Sequence, residues 1–230
     1  MARDVRDYAR AKLTRAARYA RQPVLRAHVH LRLDPNPALD RPAIAKAQVD
    51  VSGRLVCARV AAGDMHEAID LLEGRIRRGL DALAGRDEGR YHEIGSAPPG
   101  EWRHGDLATL RPEYFPRPVD DREIVRRKTP ALGAMAPEQA ILEMTLLDRD
   151  FLLFVDSESG DDAVVYRRSD GHPARLDPPS STMQVADAVG MLDLSGERFV
   201  FFVDQTSGRG SIVYRRYDGH YGLITHGTRG

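Results

Sequence analysis

Cysteine is almost absent: Cys57 stands alone, which excludes an internal disulfide framework and any zinc ribbon. Long apolar runs are absent too. None approaches the roughly 18 residues a bilayer-spanning helix needs, so an integral helical membrane protein is excluded. The first residues, MARDVRDYARAKL, carry no uninterrupted apolar stretch of the kind a secretory signal requires. These absences predict a cytoplasmic protein in a reducing compartment. Lysine is scarce: Lys12, Lys46 and Lys128 are the only three, so arginine carries nearly all the positive charge. A GC-rich genome accounts for that preference as readily as RNA contact does.

Catalytic signatures are missing as well. The chain has no GxGxxG fingerprint, P-loop, HExxH or GxSxG. His28 and His30 share one strand face, but no third ligand is placed beside them, so a polar sheet face is expected and no metal site is assigned. Cys57 lies between Val56 and Ala58 and reads as a structural thiol. A repeated Asp-Gly-His is first a hairpin-turn signal, with no nucleophile to partner it. The expectation is a protein that is not an enzyme and uses no cofactor.

The 230 residues are 42% hydrophobic and 30% charged, an ordinary globular composition. The zero net charge conceals an asymmetry. Residues 1–80 hold 16 Lys+Arg against 9 Asp+Glu, and residues 81–230 hold 18 against 25. A half at +7 joined to a half at −7 points to two jobs, with the basic half facing a polyanion.

Apolar spacing predicts a helix over 3–21, with Val5, Ala9, Leu13, Ala16 and Ala20 inward and Arg3, Arg10, Arg18 and Arg21 opposite; Lys12 and Arg15 lie on the flank. Pro23 stops it. Strands follow at 24–33, where Arg26 and Arg32 alternate with apolar residues, and at 43–51 and 54–61, joined by Ser52-Gly53. A second helix opens at Asp64, with Glu67 completing a box-like cap. It buries Met65, Ala68, Ile69, Leu72, Ile76, Leu80 and Leu83, turns out Arg75, Arg77 and Arg78, and ends at Gly85. This order predicts a small α+β layer with helices on one face of an antiparallel sheet. Residues 86–121 lose periodicity and gather five prolines around Trp102, Tyr114 and Phe115, as a linker does.

The rest of the chain is a repeat. Residues 135–172 align without a gap to 183–220, with sixteen of 38 positions identical. Each copy reads as helix, strand, Ser-Gly turn, strand, Asp-Gly turn. A strand-like segment, Glu123–Thr129, precedes the first copy alone. The central strand of each copy is apolar on both faces. One face suits the copy's own helix, through Ala140, Ile141 and Met144 or Ala188, Val189 and Leu192. The other, Phe151, Leu153 and Val155 or Phe199, Phe201 and Val203, needs a second sheet. The other copy lies about ten residues away, at an effective concentration on the order of millimolar. The two copies are therefore expected to pack on each other as a pseudo-dimer, giving a monomeric protein.

Residues 4–84 resemble the N-terminal domain of ribosome hibernation-promoting factors, also called ribosome-associated inhibitors, through Arg6-Asp-Tyr-Ala-Arg-Ala-Lys12-Leu with Tyr19, and Gly63-Asp-Met-His-Glu-Ala-Ile-Asp70-Leu-Leu. Residues 122–172 resemble the family's C-terminal domain through Ile124-Val-Arg-Arg-Lys128, Pro137-Glu-Gln-Ala-Ile141 and Val165-Tyr-Arg-Arg-x-Asp-Gly171. Residues 183–224 do so again through Val213-Tyr-Arg-Arg-x-Asp-Gly-x-Tyr-Gly-Leu-Ile224. The resemblance implies an N-terminal βαβββα unit akin to double-stranded-RNA-binding domains, lodged in the decoding channel of the 30S subunit against 16S rRNA and ribosomal proteins. There it blocks mRNA and tRNA and stabilises idle 70S ribosomes under stress. Lys12, Arg15, Arg75 and Arg78 match the family's basic contact positions; Arg18, Arg21 and Arg32 are added from the helical wheel and the strand alternation. The family's first strand has no counterpart before the first helix: either the start lies further upstream or the strand is absent, and its absence would leave an edge of the next strand open. The expected division is 1–85, linker 86–121, then C-terminal copies 122–178 and 179–230. The alternatives are a factor that pairs ribosomes into 100S particles through C-terminal dimerisation, and a general RNA-binding regulator.

Overall fold

A computed structural model describes residues 3–35, 41–87, 117–129, 133–168, 171–216 and 218–226. Trp102, Tyr114, Phe115 and most of the expected linker lie outside the described residues. The described chain forms two compact units: residues up to 87 together with 142–150 and 171–172, and the remainder from 117 onward.

In the first unit, α1 (Arg3–Ala17) precedes β1 (Val24–Leu33), β2 (Ala43–Val51) and β3 (Arg54–Ala62), and α2 (Met65–Asp87) follows. The sheet is antiparallel in the order β1-β2-β3. Ser52 and Gly53 both have positive φ, 52° and 88°, between paired Val51 and Arg54, the two-residue turn whose twist suits a hairpin. At the start of α2, Asp64 Oδ1 accepts from the amides of His66 (2.8 Å) and Glu67 (3.0 Å), while Glu67 Oε2 accepts from the Gly63 amide (3.0 Å). The capping pattern read from the sequence therefore forms.

The core is made of small side chains: Ala43, Ala45 and Ala47 of β2 and Ala58 and Ala62 of β3 lie with Leu13, Leu72, Ile76 and Leu80 in one cluster. Gly79 lets α2 approach closely, since a Cβ there would sit 2.5 Å from Val56 Cγ1. Leu142 and Leu146 are buried in this same cluster, a long-range contact that periodicity cannot reveal. Nearby, Asp148 accepts the amide of Arg59 at 2.9 Å.

Two features differ from the sequence reading. First, α1 stops at Ala17, and residues 18–20 tighten into i→i−3 bonds before the chain turns toward Pro23. Second, β1 is an edge strand whose inward-alternating residues stay exposed: Val29 at 40% and Leu33 at 61%. Of that row, Leu31 packs partly against the core.

The second unit holds the repeat. Its elements are β4 (Ile124–Lys128), β5 (Ala134–Met135), the start of α3 (Pro137–Leu146), β6 (Phe151–Asp156), β7 (Asp162–Arg167), β8 (Pro173–Leu176), β9 (Thr182–Met183), α4 (Val185–Ser195), β10 (Phe199–Asp204), β11 (Gly210–Arg215) and β12 (Tyr221–Thr225). The first copy forms the sheet β5-β6-β7-β8, and the second contributes β12-β11-β10-β9. The short parallel additions β5 and β9 are too brief for any sequence signal.

The strand that precedes the first copy does not join it. Instead β4 pairs in parallel with β12, completing the second copy's sheet. The sequence assigns β4 to its nearest neighbour in the chain. The structure gives it to the copy whose terminal strand, Tyr221-Gly-Leu-Ile224, is apolar and extended where the first copy has Pro173-Ala-Arg-Leu.

The two sheets face each other. Directly paired residues point the same way, so the facing surfaces are built in layers. One layer holds Phe151 and Tyr166 with Phe199 and Tyr214; the Phe151–Phe199 ring centroids are 4.8 Å apart. The next holds Leu153 and Val164 with Phe201 and Ile212. On the opposite face of the second copy, Phe202, Val213 and Val200 pack with Ala188, Val189 and Leu192 of α4. This is the division of faces expected from sequence.

Val155 and Val203 depart from that expectation, because they stand outside the apolar cluster between the sheets. The cross-strand partner of Val155 is Asp162, and that of Val203 is Gly210. The third layer therefore sets a carboxylate and a glycine beside the two valines. Asp162 accepts from Arg209 Nε (2.8 Å) and Nη2 (2.7 Å) and from the Gly210 amide (2.6 Å), and His226 Nε2 lies 2.9 Å from the same carboxylate.

Candidate nucleic-acid interface

The basic residues singled out from sequence are all in the first unit, on α1, α2, β1 and the turn after α1. Their surroundings differ sharply. Arg18 is exposed, and so is Arg21, but both lie beyond the end of α1, in the turn before β1 and not on the helix wheel. Arg32 is exposed on β1 and donates to Asp34 at 2.9 Å. Arg78 is half-buried on α2, and the neighbouring Arg77 guanidinium lies 5.6 Å from the Tyr19 ring centroid.

Arg75 sits differently. It is 9% exposed, its guanidinium donates to the Arg59 carbonyl, and Nη1 lies 3.5 Å from Asp148 Oδ2. Helical position alone places it beside Arg78. The packing of residues 142–150 against the same unit turns it into a buried crosslink. Arg75→Met is expected to cost about 1–2 kcal/mol, because it removes the side-chain donor of a part-buried carbonyl and the cation beside Asp148. Urea denaturation of the first unit should show that loss.

Lys12 and Arg15 are clasped to α2. Lys12 Nζ is 2.6 Å from Asp70 and 3.4 Å from Glu73. Arg15 makes a two-pronged contact, Nε to Glu73 Oε1 at 2.6 Å and Nη2 to Oε2 at 2.7 Å. Tyr8 donates to Asp70 at 2.8 Å, and the Lys12 ammonium lies 5.2 Å from the Tyr8 ring centroid. These contacts move each group in the direction that favours its charge. The hydrogen bond to Asp70 raises Lys12, and the one to Glu73 raises Arg15. Lys12 holds Asp70, and Arg15 holds Glu73, below the usual carboxylate range.

Sequence reasoning finds the cations and misses their partners. Asp70 and Glu73 are three residues apart on α2, which places them on one face, but only the pairing of α1 with α2 shows what that face meets. By charge counting alone the two acids are ordinary solvated residues.

Cys57 is half-buried, and burial pushes its thiol up, away from the reactive thiolate. Asp218 closes its turn by accepting from Arg216 and from the His220 amide, with Gly219 at φ 80°. His28 and His30 are exposed on β1. No helix among the described residues is long and apolar enough to cross a membrane.

A cationic helix-on-sheet unit joined to a doubled, self-paired α+β module defines a protein built around surfaces. Residues 2–87 match the family described as Sigma 54 modulation protein / S30EA ribosomal protein, and residues 119–172 and 178–223 each match its C-terminal domain. The chain belongs to this family, in a long form with the C-terminal domain doubled. It is 33% identical over 176 residues to the ribosome hibernation promotion factor of Deinococcus radiodurans, covering 73% of this chain and 88% of that one. It is 26% identical over 170 residues to the factor of the same name from Staphylococcus aureus, covering 73% and 86%. With the Lactococcus lactis factor it shares 32% identity over 130 residues, 55% and 68% of the two chains.

Proposed function

We propose that this protein is a ribosome hibernation factor that acts in the cytoplasm without catalysis. It binds the 30S decoding channel through its N-terminal unit, excludes mRNA and tRNA, and holds idle 70S ribosomes as single particles. The names of its relatives support the hibernation role, and family resemblance supports the channel. The observation that carries the single-particle reading is the apposition of the two copies: the aromatic layer that would join two molecules is already filled from within one chain. On this reading the free protein is a monomer.

Contact with rRNA phosphates releases condensed counterions, so affinity for 30S subunits falls steeply with salt. Replacing Arg18, Arg21 and Arg78 together by Ala should weaken co-sedimentation and reduce the salt slope by about one for each phosphate that is no longer neutralised. Subunits already carrying mRNA and initiator tRNA should bind poorly. Salt-independent binding, unchanged in the triple variant and equal on programmed subunits, contradicts the channel site.

A further inference from the structure

The clasp between α1 and α2 has the geometry of an anion site with its own anion built in. A guanidinium offers two parallel N–H groups, which fit a carboxylate and a phosphate in the same way. Glu73 fills that fork on Arg15, at 2.6 and 2.7 Å, and Asp70 takes the Lys12 ammonium at 2.6 Å. The two sides of the clasp differ in exposure: the Glu73 side chain is 15% exposed, whereas that of Arg15 is 58% exposed. In the Arg15–Glu73 pair the acid is held in place while the cation stands open to solvent; in the Lys12–Asp70 pair the exposures are reversed, 19% for Lys12 and 49% for Asp70. An ion pair with one partner so exposed is screened by water and salt, and is weak enough to be exchanged for a better-placed anion.

Resting on the RNA-binding reading above, we propose that Glu73, with Asp70, is a stand-in for an RNA backbone phosphate: on binding, Arg15 leaves Glu73 for a phosphate, and Lys12 leaves Asp70. The acids are positioning residues. They keep the two cations ordered on the surface between α1 and α2, and they lower affinity for any RNA that cannot displace them. Asp81, exposed on the same helix, serves as a control for charge alone.

The test is a double-substitution cycle on the full chain. Affinity for a short RNA duplex and for 30S subunits is measured for wild type, Glu73→Gln, Arg15→Gln and the double variant, with Asp81→Asn alongside and the melting temperature of each recorded. Asp70→Asn with Lys12→Gln forms a second cycle, coupled to the first because Lys12 also lies 3.4 Å from Glu73. Glu73→Gln should tighten duplex binding about three- to fivefold, the value of an exposed pair. The gain should vanish when Arg15 is Gln, and Asp81→Asn should not reproduce it. A gain that persists in the Arg15→Gln background, or that Asp81→Asn matches, assigns the effect to net charge and overturns the proposal. Unchanged affinity with only a lower melting temperature makes the clasp purely structural and also overturns it. Failure of the underlying reading would look different: wild-type protein would not co-sediment with 30S subunits, whatever the duplex cycle gave.

Discussion

A chain ending at residue 178 should self-associate, whereas the full chain should sediment as a monomer. Removing the second copy strips Phe199, Phe201, Ile212 and Tyr214 from the facing surface and leaves Phe151, Leu153, Val164 and Tyr166 uncovered. The first copy's own sheet, β5-β6-β7-β8, remains complete, because β4 belongs to the other sheet. Two truncated chains can then bury those surfaces on each other, and an aromatic patch of this kind seldom stays exposed on a monomer. β4 loses β12 as well and adds an unpaired strand edge. Analytical ultracentrifugation across a concentration series separates the outcomes. A truncated chain that stays monomeric at tens of micromolar would mean that the facing surfaces contribute little.

Asp162→Ala should be among the most damaging polar substitutions in the second unit. The carboxylate receives both prongs of Arg209 and the Gly210 amide in a nearly closed layer. Losing it leaves the guanidinium and the amide facing each other without an acceptor, at a cost of about 3 kcal/mol. The same site predicts a pH signature. Burial alone would raise the Asp162 carboxyl, but the hydrogen bonds from Arg209 and Gly210, with the nearby His226 and Arg209 charges, hold it below the usual carboxylate range. A carboxyl lowered on folding stabilises the protein above its unfolded value of about 3.9, and that stability is lost as pH falls through the folded value. Wild type should therefore lose urea resistance steeply below about pH 4, and Asp162→Ala should lose less of it over the same interval. Parallel curves for the two proteins would show that the carboxylate is not coupled to folding.

Much of the fold is legible in the sequence because local chemistry dictates it. Ser52-Gly53 between two alternating runs favours a tight hairpin, Asp64 with Glu67 a helix start, and a strand apolar on both faces a buried position. The sixteen identities between the copies expose the doubled module directly. What the sequence hides is partnership over long separations. Asp70 and Glu73 look like solvated acids until α1 is laid beside them. Arg75 looks like a surface cation until residues 142–150 close over it. β4 looks like the opening strand of the first copy until β12 claims it. The Asp162 carboxylate in the third layer is concealed by the regular alternation of Phe151, Leu153 and Val155, which suggests a third apolar layer. There the first copy presents a carboxylate and the second a glycine flanked by arginine.

Sucrose-gradient sedimentation of idle ribosomes, with and without added full-length protein, tests the central claim most directly. The self-paired C-terminal copies predict that the protein co-migrates with 70S particles, protects them from splitting into subunits and leaves the 100S region empty. A strong 100S peak that grows with added protein would contradict the account, because it would require a pairing surface that the two copies have already consumed.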